Sequence, residues 1–369
     1  MKNIGILTFH APHNYGSMLQ AWALQKYLTS RGYEVEDINL RTISQKRMYP
    51  NPLGHLGPHV IKCFIDNPQL FCQGVCKWYK FESFLKNKLK LTKKEYQNWD
   101  ELYQDLPFYK YDAIVCGGDQ IWNTTCIDFD KAYYLPASLP NTKKISYAPS
   151  MGGFLSRFTD EKTIKFIQSN LNDFDYISVR ETTTSHFLSN ILGKDIEVVP
   201  DPTLLLTAQD YDQLIPSKPI IKGDYILYYT PRYVKESEEI AYQFGKYYNL
   251  PIVSTNAQHT NPHFIIHNSV GPIEFLNILK HAKFVCGQSF HLVIFALIYH
   301  KDFVALDGDK DLRMLNLLES CNLKDRAISL KNPQIGGHSA INEEKIDAVL
   351  HKLKEKGVKY INSWNNNEI

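Results

Sequence analysis

Residues 283–298 read KFVCGQSFHLVIFALI and contain a full change of secondary structure. The apolar run at 284–286 predicts a short buried strand, and the longer apolar run after Ser289 predicts a helix, with a Gly-Gln turn between them. Ser289 is a good N-cap, so His291 falls in the first turn of this helix. Unpaired N–H groups and the helix dipole favour an anion at that place. A histidine that only fills the helix start remains the alternative.

The same alternation of short apolar runs and helical patterns fills most of the first half of the chain. Residues 4–9 predict a strand, a helix begins near Ser17, and residues 34–40 predict a second strand. A right-handed crossover makes such a pair of strands parallel. Four further predicted strands each end in polar or glycine-rich residues: 113–116, 145–148, 176–179 and 196–199. Open α/β sheets hold their ligands at these carboxyl ends.

A second set of strands and helices follows a hinge that carries prolines at 200, 202, 216 and 219. Its predicted strands are 225–230, 252–255, 284–286 and 303–306. The sequence therefore predicts an α/β fold with two Rossmann-like, doubly wound domains that face a cleft, a glycosyltransferase-B-like arrangement. We expect an N-terminal domain at 1–205 and a C-terminal domain at 206–340. Residues 341–369 predict a helix that packs back across the hinge, followed by a frayed, asparagine-rich end.

Residues 44–107 interrupt this pattern with a mixture of aromatic residues and lysines. On a helix, Phe81, Phe84, Leu85 and Leu89 share one face, which lysines flank. One interpretation is an inserted pair of helices with a solvated basic side. The other is a surface that touches anionic membrane lipid through its apolar side chains and lysines. The sequence is compatible with both.

The 369-residue chain has the composition of a soluble globular protein, with 44% hydrophobic and 22% charged residues. A net charge of +2 gives no reason to expect nucleic-acid binding. The N-terminus lacks the features of a signal peptide, and no apolar run is long enough to cross a membrane. Seven scattered cysteines indicate free thiols in a reducing cytoplasm. Cys72 and Cys76 lack a second pair of ligands, so we expect no metal site.

Several short motifs occur in a fixed order along the chain: GILTFH (5–10), NYG (14–16), LQAWAL (19–24), DAIVCGGDQIWN (112–123), SYAPSMG (146–152), ISVRE (177–181), VPDPT (199–203), SFH (289–291) and Arg313. In this order they resemble the polysaccharide pyruvyl transferase family over most of the chain. Two positions depart from the family pattern. Leu292 stands where the family usually has glycine, and Ser289 stands where some members have an arginine.

The resemblance implies a transfer of pyruvate from phosphoenolpyruvate to two hydroxyls of a sugar, which forms a cyclic ketal and releases phosphate. The expected acceptor is a precursor of a bacterial-type surface polysaccharide, such as a capsule, or a glycolipid. No cofactor beyond the co-substrate phosphoenolpyruvate is implied, and no metal. We expect His291 and Arg180 to be catalytic. The implied donor-binding residues are Arg180, Ser289, Phe290, His291, Leu292 and Arg313. The implied acceptor-binding residues are His10, Asn14, Tyr15, Gly16, Gly117, Gly118 and Asp119.

Other interpretations remain open from the sequence. A nucleotide-sugar glycosyltransferase would use the same two-domain arrangement, and a non-catalytic relative that binds a glycan or an anion would carry the same motifs. At the level of residues, Asp119 could be a loop cap, Asp201 a structural residue at the hinge, and Arg313 a member of an ion pair. We expect a cytoplasmic protein with peripheral contact to the inner face of the membrane as one option.

Overall fold

A computed structural model describes residues 2–54, 58–152, 155–158, 160–256, 258 and 261–365 of the chain. Its strands in the first half are β1 (Asn3–Leu7), β2 (Glu34–Asp37), β3 (Ala113–Gly117), β4 (Lys143–Tyr147), β5 (Ser178–Val179) and β6 (Glu197–Val198). Those in the second half are β7 (Ile226–Tyr229), β8 (Ile252–Ser254), β9 (Phe264–Ile266), β10 (Phe284–Gly287), β11 (Asp302–Leu306) and β12 (Ala327–Ile328).

The helices lie between these strands and on both sides of the sheets. In the first half they are α1 (Tyr15–Ser30), α2 (Ile43–Met48), α3 (Pro58–Asp66), α4 (Pro68–Lys88), α5 (Trp99–Tyr109), α6 (Glu161–Leu171), α7 (Thr182–Leu192) and α8 (Ala208–Asp212). In the second half they are α9 (Lys235–Tyr248), α10 (Pro272–His281), α11 (Phe290–Ile298), α12 (Leu312–Ser320) and α13 (Glu343–Ser363).

The C-terminal sheet has the strand order β12-β11-β10-β7-β8-β9, and all its pairs are parallel. This is the doubly wound Rossmann order, in which the chain changes direction between the first and fourth strands, here β7 and β10. The N-terminal sheet, β2-β1-β3-β4, is also parallel and changes direction between β1 and β3. A parallel bridge between Ile145 and Tyr176 brings the β5-β6 pair beside β4. The predicted fold class, two Rossmann-like units in a glycosyltransferase-B-like arrangement, is confirmed.

Apolar packing joins the two halves. The largest core contains buried side chains of both, among them Leu24 of α1, Leu227 of β7 and Phe275 of α10. The aromatic ring of Tyr15, at the start of α1, stacks on Phe275 with ring centroids 4.2 Å apart. Helix α1 therefore packs on its own sheet and on the C-terminal half, which places its N-terminus in the cleft.

The last helix returns to the N-terminal half. Helix α13 packs on the 3₁₀ turn Pro202–Leu205, and the Tyr360 hydroxyl donates a hydrogen bond to the carbonyl of Ser146 (2.8 Å). The helix reaches Ser363 because Tyr360 and Ile361 in its last turns bury further apolar surface. The predicted frayed end falls on residues 365–367, of which 366 and 367 lie outside the described part.

The insert corrects one prediction. Phe81, Phe84 and Leu85 of α4, and Leu89 directly after it, are at most 6% exposed and belong to the main core, so this apolar face cannot touch lipid. The face is covered because α4 packs beside the start of α1, where the Phe81 ring lies 5.3 Å from that of Tyr15. Among the described helices, none is both long and apolar enough to cross a membrane.

Candidate active site

The loop between β10 and α11 places His291 at the cleft. Gly287 closes β10 because a Cβ there would lie 1.9 Å from the carbonyl oxygen of Tyr229 on the neighbouring strand. Ser289 then caps α11, and its Oγ accepts a hydrogen bond from the Leu292 N–H (3.4 Å). His291 is therefore held in the first helical turn, and its side chain is 11% exposed. The predicted strand, cap and helix are all present.

Asp201 is the centre of the site. Its Oδ2 accepts a hydrogen bond from Nη1 of Arg180 (2.7 Å) and lies 3.4 Å from Nε2 of His291. Its Oδ1 accepts hydrogen bonds from the N–H (3.0 Å) and hydroxyl (2.7 Å) of Thr203. Burial alone would raise the pKa of Asp201, but His291, Arg180 and Thr203 together hold it well below its usual range. One ionised, fully buried carboxylate thus contacts both of the predicted catalytic residues.

Arg180 is buried among acidic groups. Besides its bond to Asp201, its Nε donates to Oε1 of Glu181 (3.2 Å), and its side chain is 3% exposed. Burial would lower the pKa of Arg180, but the charges of Glu181, Asp201 and Asp119 outweigh it and raise the pKa. The guanidinium therefore stays charged in a place that water scarcely reaches.

A second arginine joins the first through an aromatic ring. The guanidinium carbons of Arg180 and Arg313 lie 4.9 Å and 5.3 Å from the ring centroid of Phe290. Arg313 is also paired with Asp311, the N-cap of α12, and its side chain is 17% exposed. Two cations and the N-terminus of α11 thus meet beside His291, an arrangement suited to a negatively charged ligand.

The other two predicted donor-binding residues have structural roles. The hydroxyl of Ser289 is occupied by the helix cap, and the Leu292 side chain is 1% exposed in the core. Leucine fits where the family usually has glycine because this side chain points away from the cleft and packs on Gly287. Neither side chain is available to a donor.

Gly16 allows α1 to approach the histidine. A Cβ on Gly16 would lie 2.2 Å from Nδ1 of His291, so only glycine fits between the N-termini of α1 and α11. Asn14 caps α1 by accepting from the Gly16 N–H (2.9 Å). Tyr15 is 2% exposed and donates to the carbonyl of Val270 (3.1 Å). Asn14 and Tyr15 therefore hold the loop in place, and Gly16 is the residue of this motif that lies against His291.

The structure does not bring His10 to the cleft. Its ring is 1% exposed and lies within hydrogen-bond distance of the Thr8 carbonyl and of Asn39 Oδ1 (3.1 Å). Burial lowers the pKa of His10, which favours the neutral ring. We remove His10 and Tyr15 from the candidate acceptor-binding residues because their polar atoms are already satisfied inside the protein.

The glycines after β3 place Asp119 near the site. A Cβ on Gly117 would lie 2.6 Å from the Tyr147 carbonyl oxygen, and one on Gly118, whose φ is +70°, would lie 1.7 Å from Gln20 Oε1. Asp119 itself has a φ of +46° and accepts a hydrogen bond from the Ser17 hydroxyl. The charge of Asp119 also raises the pKa of Arg180, so the predicted acceptor-binding and donor-binding residues lie close enough to interact.

Asp128 and Tyr49 extend this side of the cleft, and the sequence motifs missed both. Burial and the charge of Asp119 raise the pKa of Asp128 to about 6. Burial, Asp128 and Asp119 raise the pKa of Tyr49 to about 12. The positive charge of Arg232, in the loop after β7 of the other half, has the opposite effect and lowers the pKa of Tyr49. Asp128 lies outside the recognised motifs, and Tyr49 comes from the insert, so the sequence carried no signal for either.

Among the described residues, no group of three or more histidine, cysteine or acidic side chains could hold a metal ion. Three of the seven cysteines, Cys63, Cys72 and Cys76, lie on the insert and are exposed.

Comparison with known proteins agrees with the fold. The UDP-GlcNAc 2-epimerase of Methanocaldococcus jannaschii, solved with UDP-GlcNAc and UDP, is 14% identical and superposes with a TM-score of 0.55, covering 100% of both chains. The UDP complex of S. aureus MnaA is 13% identical, with a TM-score of 0.53 over 99% of this chain and 97% of that one. At such identity these likenesses show the fold alone. No curated protein sequence matches this chain.

A family model supplies the remaining evidence. The model described as polysaccharide pyruvyl transferase matches residues 14–310, which include the start of α1, the Asp119 loop, Arg180, Asp201 and His291. The chain belongs to the polysaccharide pyruvyl transferase family.

Proposed function

We propose that the protein transfers pyruvate from phosphoenolpyruvate to two hydroxyls of a sugar, forming a cyclic ketal and releasing phosphate. The observation that carries the proposal is the contact of Asp201 with both Arg180 and His291, beside the N-terminus of α11. We infer a cytoplasmic reaction on a precursor of a surface polysaccharide or glycolipid, with no cofactor beyond the donor.

The donor carries a phosphate and a carboxylate. The N-terminus of α11 favours one of these anions through its unpaired N–H groups. Arg180 and Arg313 flank Phe290 on the same side and supply charge-assisted hydrogen bonds to the donor. We assign the donor to this place because the guanidinium groups of Arg180 and Arg313 and the N-terminus of α11 lie together there.

His291 serves as the proton donor in this proposal. It protonates the methylene carbon of phosphoenolpyruvate, and the neighbouring carbon becomes cation-like and is attacked by the first sugar hydroxyl. Phosphate then leaves, and the second hydroxyl closes the ring. Of the two hydroxyl protons, one replaces the proton that His291 gave to the new methyl group, and the other leaves with the phosphate. The atoms and charges balance with no further reactant.

The position of Asp201 determines which nitrogen of the His291 ring transfers the proton. Nε2 of His291 faces the Asp201 carboxylate, so the nitrogen left for proton transfer is Nδ1, which faces Gly16. The carboxylate also fixes the orientation of the ring. Because Gly16 has no side chain, the ring can take this position against the start of α1 without a clash.

Asp128 is our candidate for the base that accepts a proton from the sugar. A pKa of about 6 leaves this carboxylate ionised at neutral pH but more basic than an ordinary aspartate. Asp119 and Tyr49 lie close enough to interact with it electrostatically and would orient the acceptor hydroxyls. The acceptor therefore binds on the N-terminal side of the cleft, opposite the donor.

Purified protein mixed with phosphoenolpyruvate and a panel of nitrophenyl galactosides and mannosides tests the proposal. We expect phosphate release that depends on the glycoside, and a product heavier by pyruvate minus water. Parallel reactions with UDP-sugars in place of phosphoenolpyruvate test for a glycosyltransferase. Glycosyl transfer from a UDP-sugar, with no phosphate released from phosphoenolpyruvate, would show that the proposal is wrong.

A further inference from the structure

Helix α3 presents an uncovered apolar face. Ile61, Phe64 and Ile65 recur at the i, i+3, i+4 spacing of one helix face and are 51%, 48% and 69% exposed. We call these three side chains the α3 patch. All residues from 61 to 66 are exposed, and the helix packs against α4. A nine-residue helix is marginal in water unless something covers its apolar face.

Exposed apolar side chains are concentrated in this part of the insert. Of thirteen exposed large hydrophobic residues in the described chain, seven fall within residues 43–79: Ile43, Met48, Leu53, Ile61, Phe64, Ile65 and Tyr79. Scattered single residues of this kind need no explanation, whereas a local concentration marks an interaction surface. The surface needs a partner that accepts apolar side chains.

The charge of the same segment indicates which partner. Residues 43–80 contain five basic residues and one acidic residue, Asp66, a formal net charge of +4, whereas the whole chain carries +2. Lys46 and Lys80 pair with Glu95 and Glu274, while Arg47 and Lys62 accompany the exposed apolar residues of α2 and α3. A surface that combines exposed apolar side chains with positive charge suits anionic lipid.

A second copy of the chain suits it less well. In a two-fold dimer the same surface meets itself, so the exposed Arg47 and Lys62 of one copy would face those of the other. Like charges at such an interface oppose association, whereas anionic head groups attract both segments. The positive charge therefore favours anionic lipid over a second copy of the chain as the partner.

We propose that the α3 patch inserts into the surface of an anionic membrane. The following helix, α4, leads from the patch to the cleft, where the Lys77 ammonium donates to the Thr255 carbonyl (2.9 Å) and the Trp78 indole N–H donates to the Tyr49 carbonyl (3.3 Å). Membrane attachment would hold the cleft near lipid-linked sugars. That consequence rests on the proposed function, but the attachment itself does not.

Vesicle sedimentation tests the proposal directly. We expect the intact protein to pellet with vesicles of phosphatidylcholine and phosphatidylglycerol at low salt, to be released by high salt, and not to pellet with phosphatidylcholine alone. The double change Ile61→Ser/Ile65→Ser should weaken binding roughly tenfold or more. Arg47→Glu/Lys62→Glu, which brings the segment from +4 to 0, should abolish it.

The matched control is Ile220→Ser/Ile265→Ser, a pair of isoleucines that are 43% and 48% exposed outside the insert. It should bind vesicles like the parent, and all variants should keep the parental melting temperature. Equal binding by the α3 variant and the control, or no binding by the parent, would overturn the proposal. So would a dimer in free solution that Ile61→Ser/Ile65→Ser converts to a monomer. Sedimentation with vesicles does not depend on enzyme turnover. A negative result in the pyruvyl transfer assay would therefore not change the conclusion about membrane binding.

Discussion

Asp201 is the residue on which the candidate site depends most, because one of its oxygens contacts both Arg180 and His291. In Asp201→Asn the neutral amide no longer compensates the charge of the buried Arg180 guanidinium, and His291 Nε2 loses the carboxylate that it faces. We expect a loss of about 3 kcal/mol in the free energy of unfolding and a fall in turnover of roughly 10²-fold or more. Denaturant unfolding and steady-state kinetics measure the two effects.

Thr203→Val provides the control for Asp201. It removes the hydroxyl that donates to Oδ1 (2.7 Å) but leaves Oδ2, the oxygen that faces Arg180 and His291. This variant should lose about 1 kcal/mol of stability and keep most of its turnover. If Asp201→Asn and Thr203→Val lower turnover to the same extent, the carboxylate has only a structural role.

Gly16 offers a second test at this scale. In Gly16→Ala the new methyl group would lie 2.2 Å from Nδ1 of His291, so the ring must move. A displacement on the order of 1 Å costs roughly 10²-fold in rate when the group takes part in chemistry. Gly74→Ala, whose new methyl would meet its nearest atom only at 3.9 Å, should keep parental kinetics. A fully active Gly16→Ala variant would show that His291 does not take part in the reaction.

The sequence predicted four residues that the fold brings together, Arg180, Phe290, His291 and Arg313, because each lies at or near the carboxyl end of a parallel strand. It did not assign Asp201 to the site. A carboxylate between two prolines is typical of a hinge, and its contacts come from residues 21 and 90 positions away. Contacts at that separation depend on the packing of whole elements, which local patterns do not contain.

At the scale of elements, α4 is held by Glu82. This carboxylate accepts two hydrogen bonds from Arg41 (2.8 and 3.0 Å) and lies 3.0 Å from Nε2 of His13. Burial alone would raise the pKa of Glu82, but His13 and Arg41 lower it from 4.5 to about 2. A carboxyl whose pKa is lower in the folded state stabilises the fold above the unfolded value, and this contribution is lost as the pH falls toward 2.

We therefore expect Glu82→Gln to lose about 2 kcal/mol of unfolding free energy at pH 7, and the difference from the parent to shrink below pH 4.5. Urea unfolding at a series of pH values measures it. Glu161→Gln removes an exposed partner of Lys165 on α6 and should leave the unfolding midpoint almost unchanged. A difference that stays constant with pH would contradict the role of the ionised carboxylate.

Helix α4 also shows how far a local pattern reaches. The spacing of Phe81, Phe84 and Leu85 correctly indicated one apolar face, but it did not show what covers that face. The core covers it, so this particular face is not one that touches lipid. By contrast, the strand and helix predicted around residues 284–298 match β10 and α11 closely, because the turn and cap between them are local features.

At the scale of the whole molecule, the alternation of strands and helices was sufficient to predict two Rossmann-like units and a cleft. It did not reveal that the insert connects them. Lys77 and Lys80 of α4 contact Thr255 and Glu274 of the C-terminal half, and α13 returns to the N-terminal half. These contacts, distant in sequence, join the two halves that form the cleft.

The central claim, that the protein protonates phosphoenolpyruvate and joins its central carbon to a sugar, is tested most directly by running the transfer in heavy water. The account predicts a ketal whose methyl group carries one deuterium, because His291 exchanges its proton with solvent before giving it to the methylene carbon. His291→Gln should lower the rate of labelled product by roughly 10²–10⁴-fold while donor binding is nearly retained. A product without deuterium in its methyl group, or a glutamine variant as active as the parent, would contradict the account.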